Sequence, residues 1–410
     1  MFRLPFSFIF TGIAGFVVFH LLSLANFAGW VGDMPRTPDG WFRVHLLVLG
    51  WAAMTAMGAV YQLISVVLQS KIYSERLGFI QYAFFLIGLL GLLYGFRSGQ
   101  VYWIAGFATI AFAGIALFVW NLLCTLLRAS QWNPVTVGVL LSLVYFTSAG
   151  LFGMAMGLNF AFGGLNGWHE RLFAAHIWLG TVGWFGTLII SFSFKLLPMF
   201  YLAHGHPTRL QHAVLWLWNA GAVVETAAYL CGAPLIWKGI GFLLVTVAAV
   251  LFSAHILQIR KRRHKKTPGA GIRWATIGAG WLALLGVAVC IVCFLFPRTV
   301  FQPKTVVLLI WGYLWGWVAL TILGYLSKIA PFLWWTHKYG PRVGKQKVPA
   351  MADLMNERWA NVHLALIAAS LVMLMAGIGF DQAAVIRIGG SALSLFSLAY
   401  TVLIARVFTR

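Results

Sequence analysis

Four histidines in this 410-residue chain, His20, His45, His169 and His176, lie in or beside apolar segments, where an imidazole is a metal ligand in waiting. A neutral ring among hydrocarbon needs a partner, and an ionisable group in that setting marks a functional site by default. His45 opens the run R-V-H-L-L-V-L-G-W and His176 opens H-I-W-L-G-T-V-G-W, so each stands a short way before a Gly-Trp pair. Glu225, in V-V-E-T-A, is the one carboxylate well inside an apolar run; it reads as a proton relay or as a hydrogen-bonded structural group. Met154 and Met156 are soft, copper-type donors by chemistry and packing residues by context. The four cysteines (124, 231, 290, 293) fall within or at the ends of apolar segments and give no disulfide framework; the C-x-x-C at Cys290 and Cys293 reads as core packing. His204 and His206 form H-G-H-P, a polar turn or a surface metal site.

The elements that must position these groups are membrane helices. The chain is 61% apolar and 9% charged, with mean hydropathy +0.88, which excludes a soluble globular protein and a disordered one. Twenty Trp, 33 Phe and 43 Gly fit a helical bundle with aromatic belts and close helix contacts, and no alternating barrel strands are present. Reading apolar runs long enough to cross a bilayer gives twelve spans: 6–28, 41–68, 78–97, 101–127, 134–158, 170–199, 211–231, 235–259, 273–297, 303–331, 360–380 and 386–408. With the N-terminus inside, the inner segments collect Lys71, Arg76, Arg128, the run Arg260 to Lys266 and Lys338, against Arg36, Arg43, Arg97, Arg171 and Lys238 outside. The positive-inside rule then puts both termini in the cytoplasm of a multi-pass cell-membrane protein. The net charge of +21 is accordingly a membrane-face charge whose partner is the lipid bilayer, and no nucleic acid is expected. No cleavable signal peptide is read before Gly32, and residues 1–410 form a single membrane domain.

Gly-Trp recurs at 50/51, 183/184 and 316/317, a constant interval of 133 residues. Lys195 and Lys328 follow the second and third copies at one offset, and Pro198 and Pro331 at another, as K-L-L-P-M-F and K-I-A-P-F-L. The chain is therefore expected to be all-α, with twelve transmembrane helices in three pseudo-equivalent four-helix units, about 1–133, 134–266 and 267–410, and with spans 2, 6 and 10 equivalent. The lysines are expected to snorkel to the inner headgroups and the prolines to end or kink spans 6 and 10.

Twelve spans in three units, with ligand-type residues entering from the outer ends of spans 2, 6 and 10, resemble the catalytic subunit of the haem–copper oxidases. The segment 43–64 looks like that family's second helix, and 176–198 has the same His, Gly-Trp and Leu-Leu-Pro features. The resemblance extends to NnrS-type haem and copper membrane proteins associated with nitric oxide stress. It departs from the oxidases in span 10, which has no His, and in span 7, which offers only His212 at its inner start. A complete oxygen-reducing haem–copper centre is therefore not expected.

The oxidases hold a low-spin haem between helices 2 and 10, and turning by one repeat gives spans 2 and 6. The resemblance so implies a b-type haem ligated by His45 and His176, both about 6 to 10 Å below the outer interface. Alternatives are two satisfied helix-end histidines, or a haem or copper site that uses one of the pair with His20 or His169. Arg43 and Arg171 flank the pair, as propionate-binding forks or as interfacial anchors. The function implied is redox or nitric-oxide chemistry, with electrons from a quinol or another redox protein because C-x-x-C-H is absent from the sequence. The competing reading is a membrane transporter or chaperone for copper or haem.

Overall fold

The computed structural model describes residues 2–24, 27, 36–68, 71–128, 131–165 and 167–410, with the backbone alone at 66, 67 and 301. Among them are twelve helices long and apolar enough to cross a membrane: α1 (Arg3–Ser23), α2 (Pro38–Ser65), α3 (Glu75–Ser98), α4 (Val101–Leu126), α5 (Pro134–Phe162), α6 (His169–Tyr201), α7 (Arg209–Leu230), α8 (Leu235–Lys261), α9 (Ala270–Leu295), α10 (Pro303–Lys338), α11 (Glu357–Gly379) and α12 (Ala383–Thr409). The chain is a multi-pass, all-helical membrane protein. In hydrocarbon a helix satisfies its own backbone, which is why the spans are helical throughout. Their ends are set by ordinary capping chemistry: Ser74, Asn133 and Asn356 accept backbone N–H bonds at the starts of α3, α5 and α11, and Gly99 turns the chain in the left-handed region between α3 and α4.

The expected spans agree with these helices in number and order. The last residues expected of span 1 (25, 26 and 28) lie outside the described residues, as does Gly32. Neither proline ends its helix. Pro198 lies inside α6, which runs on to Tyr201, and Pro331 lies inside α10, which continues to Lys338. Packed neighbouring helices can accommodate the backbone group a proline frees, so an intramembrane proline need not stop a helix. Lys195 is exposed, while Lys328 forms an ion pair with Glu357 at the start of α11.

The helices pack in a pattern that recurs every four. α3 lies on α4, α7 on α8 and α11 on α12; α4 lies on α5, α8 on α9, and α12 closes onto α1; α1 lies on α2, α5 on α6 and α9 on α10. α2, α6 and α10 are the inner helices. Their apolar windows are 67, 78 and 61% buried within the protein, against 33 to 50% for the other nine.

All three inner helices widen from α to π winding over Leu46–Ala53, Leu179–Gly186 and Leu314–Ala319. The first two segments are offset by 133 residues at both ends, and the third ends 133 after the second. Each contains the Gly-Trp pair, with Trp51, Trp184 and Trp317 at most 2% exposed. π turns are rare and concentrate at functional sites. The glycines let backbones touch: a Cβ on Gly15 of α1 would stand 2.4 Å from the Gly50 carbonyl oxygen, and one on Gly278 of α9 would stand 2.9 Å from that of Gly316. Below the π segments, a cavity of about 70 Å³ follows the axis between α2, α6 and α10. Its lining includes Thr55, Leu188 and Thr321, and again Leu63, Leu196 and Ile329, each triplet spaced by 133. Neither His45 nor His176 is among its lining residues.

Candidate functional site

His45 is the last residue of the α-helical part of α2 before the π segment, and His176 stands in the equivalent opening part of α6. His45 Nδ1 lies 2.8 Å from the carbonyl oxygen of Trp41, one turn back on its own helix. His176 Nδ1 lies 2.8 Å from the carbonyl oxygen of Ala149 on α5. A carbonyl only accepts, so in each ring Nδ1–H is the donor and the neutral imidazole keeps its lone pair on Nε2. A ring held in this way through Nδ1 has its orientation and tautomer fixed, as in histidines that bind metals. Gly153 makes room on α5, where a Cβ would stand 3.1 Å from His176 Cε1.

The two rings face each other with centroids 6.4 Å apart and planes 23° from parallel. An imidazole nitrogen sits roughly 1 Å from its ring centroid and bonds a metal at about 2 Å, so two imidazoles on opposite sides of one ion place their centroids about 6 Å apart. The centroid separation is the one that two imidazoles on a single ion would have. Both rings are half-buried.

The walls are aromatic. Phe96 of α3 lies 4.8 Å from the His45 ring, and Trp41 lies 6.0 Å from Phe96 and 5.3 Å from Phe160 of α5. Leu92, Phe96, Ile104 and Ala108, flanked by Trp41, Phe42 and Phe160, form a small apolar cluster separate from the main core. This cluster, drawn from α2, α3, α4 and α5, adjoins His45 through Phe96.

Of the other residues singled out in the sequence, His169 touches the aromatic wall through Phe160. His20 is fully buried on α1, its ring 4.4 Å from Phe16 and 5.3 Å from Trp315 of α10, and neither ring nitrogen has a hydrogen-bond partner. His169, at the start of α6, lies 3.1 Å from the Asn159 side-chain amide and 5.0 Å from the Phe160 ring. Arg43 is buried and bonded: Nε donates to Asp39 at 2.7 Å and a terminal nitrogen donates to the Leu22 carbonyl at 3.0 Å. Arg97 donates to the other Asp39 oxygen at 3.0 Å. Arg171 is exposed, donates to the Leu230 carbonyl at 3.3 Å and lies over the Trp168 ring. Glu225 is 2% exposed on α7 against Gly241 of α8, and its Oε2 has no hydrogen-bond partner. Met156 is buried in α5.

No family model matches this chain, and no curated protein matches it. Among the described residues no three His, Cys, Asp or Glu side chains gather as a metal group, so the histidine pair stands on its two imidazoles. Sequence reasoning missed Asp39, which holds Arg43 and Arg97 together, and Arg36, which pairs with Glu170 at 2.6 Å beside His169. The signal was present in D-G-W-F-R, an acid and a base four apart on one helix face. The pairing of His255 of α8 with His206 is also beyond the sequence.

Proposed function

We propose that this protein binds a b-type haem between α2 and α6 with His45 and His176 as its axial ligands, and that it acts in electron transfer at the membrane. The observation that carries the reading is the opposed pair itself: centroids 6.4 Å apart, with each Nδ1 committed to a backbone carbonyl and each Nε2 left for a metal. The aromatic walls supply the low-polarity surroundings that tune such a centre. When bound, the haem would supply one-electron chemistry. The protein's residues hold the rings, fix their tautomers and exclude water through Phe96, Trp41 and Phe160. With both axial positions taken by imidazole, electron transfer is favoured over direct binding of nitric oxide, which would need one imidazole to leave.

The resemblance to the haem–copper oxidase catalytic subunit, and to NnrS-type proteins, supports the same reading. So does the recurrence of packing and of π segments at 133 residues, which favours three four-helix units. The distribution of Lys and Arg supports a cell-membrane protein with both termini cytoplasmic and the histidine pair towards the outer face. The electron donor is then a quinol or another redox protein. Copper is kept for the alternative of a metal or haem carrier.

The test is an oxidised and a dithionite-reduced absorption spectrum of detergent-purified protein, with iron analysis on the same sample. A sharp reduced α band with about one iron per chain is the expected result. Absence of a Soret band and of iron after expression with haem supplied would overturn it.

A further inference from the structure

Each inner helix is followed by a helix that opens on a charged residue, and in one of the three the sign is reversed. α3 opens with Glu75 after Ser74 and α11 with Glu357 after Asn356, but α7 opens with Arg209 after Thr208. The role of the acid is plain in α11. Glu357 forms an ion pair with Lys328 of α10, and its other oxygen accepts from the Ala270 amide at 2.6 Å. Lys195 stands 133 residues before Lys328, at the matching place in α6, where Arg209 replaces the acid. Lys195 and Arg209 are both exposed. A cation at the start of a helix is opposed by the helix dipole, so this corner of the bundle carries positive charge that its two counterparts do not.

The densest basic run of the chain lies at the same place. Arg260 to Lys266, at the end of α8 and in the loop after it, holds six Lys and Arg and one His in seven residues, all exposed. The loop is fixed to the α6–α7 turn. Ala203 and Arg263 form an isolated antiparallel bridge, the Lys265 amide donates to the Tyr201 carbonyl at 3.1 Å, and the His204 and His264 rings stand 5.9 Å apart. The side-chain amide nitrogen of Gln211, two residues into α7 from Arg209, lies 3.2 Å from His255 Nε2, which sets the start of α7 beside the end of α8. Among the described residues no ion pair involves Lys195, Arg209 or any residue of the run. Apolar surface adjoins these cations: Met199 and Leu202 at the end of α6 and Leu257 on α8 are 44, 50 and 54% exposed. A small soluble anion would use the cations alone, whereas an amphiphile uses both surfaces.

We propose that Lys195, Arg209 and the Arg260 to Lys266 loop form a binding site for the phosphate-bearing headgroup of an anionic phospholipid, with Met199, Leu202 and Leu257 against its chains. Clustered Lys and Arg at a membrane face attract anionic headgroups, and guanidinium forks match phosphate oxygens. The headgroup phosphate takes the role beside Lys195 that the Glu357 carboxylate takes beside Lys328. The site shares no residue with His45 and His176, lies at the other end of α6 from that pair, and is independent of the haem reading.

The experiment is native mass spectrometry of detergent-purified full-length protein titrated with phosphatidylglycerol or with phosphatidylcholine, each alone and with inorganic phosphate as competitor. The wild type is expected to retain phosphatidylglycerol at least about ten-fold more tightly than phosphatidylcholine. The double variants Lys195→Gln/Arg209→Gln and Lys265→Gln/Lys266→Gln are each expected to weaken that retention at least about ten-fold. Lys345→Gln/Lys347→Gln, which removes the same charge from the exposed loop between α10 and α11, is expected to bind as the wild type does. Circular dichroism of each variant shows that the fold is retained. Equal retention of the two lipids by the wild type, or equal losses in all three double variants, would overturn the proposal and leave the run as ordinary membrane-face charge. Displacement of phosphatidylglycerol by an equal concentration of inorganic phosphate would overturn the lipid assignment and make the ligand a soluble phosphate.

Discussion

His45 and His176 meet across the α2–α6 boundary although they are not equivalent positions of the 133-residue repeat. The counterpart of His176 in α2 is Arg43, and the counterpart of His45 in α6 is Trp178. Helices related by rotation about a common axis present equivalent residues in equivalent directions around that axis, so equivalent residues cannot face one another. Two residues are about 200° of helix. The two-residue mismatch therefore turns one ring forwards and the other backwards, and the repeat is broken where a facing pair is required.

Both rings are expected to be necessary. His45→Ala and His176→Ala should each lower the reduced haem α band at least about ten-fold relative to protein content. A sharper check is Gly153→Val, which touches neither ligand. A Cβ at 153 stands 3.1 Å from His176 Cε1, so the ring must shift from the Ala149 carbonyl. Haem content or its low-spin spectrum should fall by about ten-fold. A spectrum unchanged in Gly153→Val would place the cofactor elsewhere.

Two buried tryptophans make a controlled comparison. Trp218 Nε1 donates to the Val182 carbonyl within the π segment of α6 at 3.0 Å, whereas Trp184 Nε1 has no partner and its ring stacks on Phe146 at 4.2 Å. Replacement by Phe removes similar volume from each site, but only Trp218→Phe breaks a hydrogen bond. Trp218→Phe should be the more destabilising by about 1 kcal/mol, read as thermal or denaturant unfolding in detergent. Equal losses would mean that the π segment does not depend on that bond.

The α7–α8 contact is set by two glycines. A Cβ on Gly221 would stand 2.7 Å from the Gly241 carbonyl oxygen, and one on Gly241 would stand 2.6 Å from Glu225 Cγ, whereas Gly239 has nothing within 4 Å. Gly221→Ala should cost about 1 to 3 kcal/mol, while Gly239→Ala should be neutral or slightly stabilising through helix propensity. Glu225 faces this contact and not the histidine pair, so Glu225→Gln should leave haem content unchanged. A loss of haem in that variant would tie α7 to the site.

Much of this architecture was legible in the sequence because its causes are local or repetitive. A bilayer demands long apolar helices, and twelve were read in order. The Gly-Trp interval marked the inner helices because the glycine admits a neighbouring backbone and the tryptophan fills the space beside it. The π winding was not legible, since hydrophobic periodicity does not separate a turn of four residues from a slightly wider one within an all-apolar run. That α6 and α10 run on past Pro198 and Pro331 is not legible, because whether a proline ends or only bends a helix depends on the helices packed around it. His45 and His176 were legible as candidates by depth. That the Ala149 carbonyl fixes the His176 tautomer was not, because the bond joins two helices. His206 drew notice as H-G-H-P, but its neighbour His255 lies on another helix and in the middle of a run that gives no hint of the pairing.

The outer arginines can be sorted by the same physics. Asp39 accepts from Arg43, 8% exposed, and from Arg97, whereas Arg36 and Glu170 form an exposed pair with side chains 48 and 69% accessible. Removing one partner of a buried pair leaves a charge without compensation, and removing one partner of an exposed pair leaves it in water. Asp39→Asn should therefore cost about 2 kcal/mol of stability, discounted because Asp39 itself is one-third exposed. Arg36→Ala should cost no more than about 0.5 kcal/mol. Unfolding in detergent at low and high salt separates the two, since the Arg36–Glu170 pair should be more salt-sensitive than the buried Arg43–Asp39 pair. If Asp39→Asn proved neutral in stability but lowered haem content, Arg43 would be a cofactor-binding fork and not the structural cation that its bonds to Asp39 and Leu22 describe.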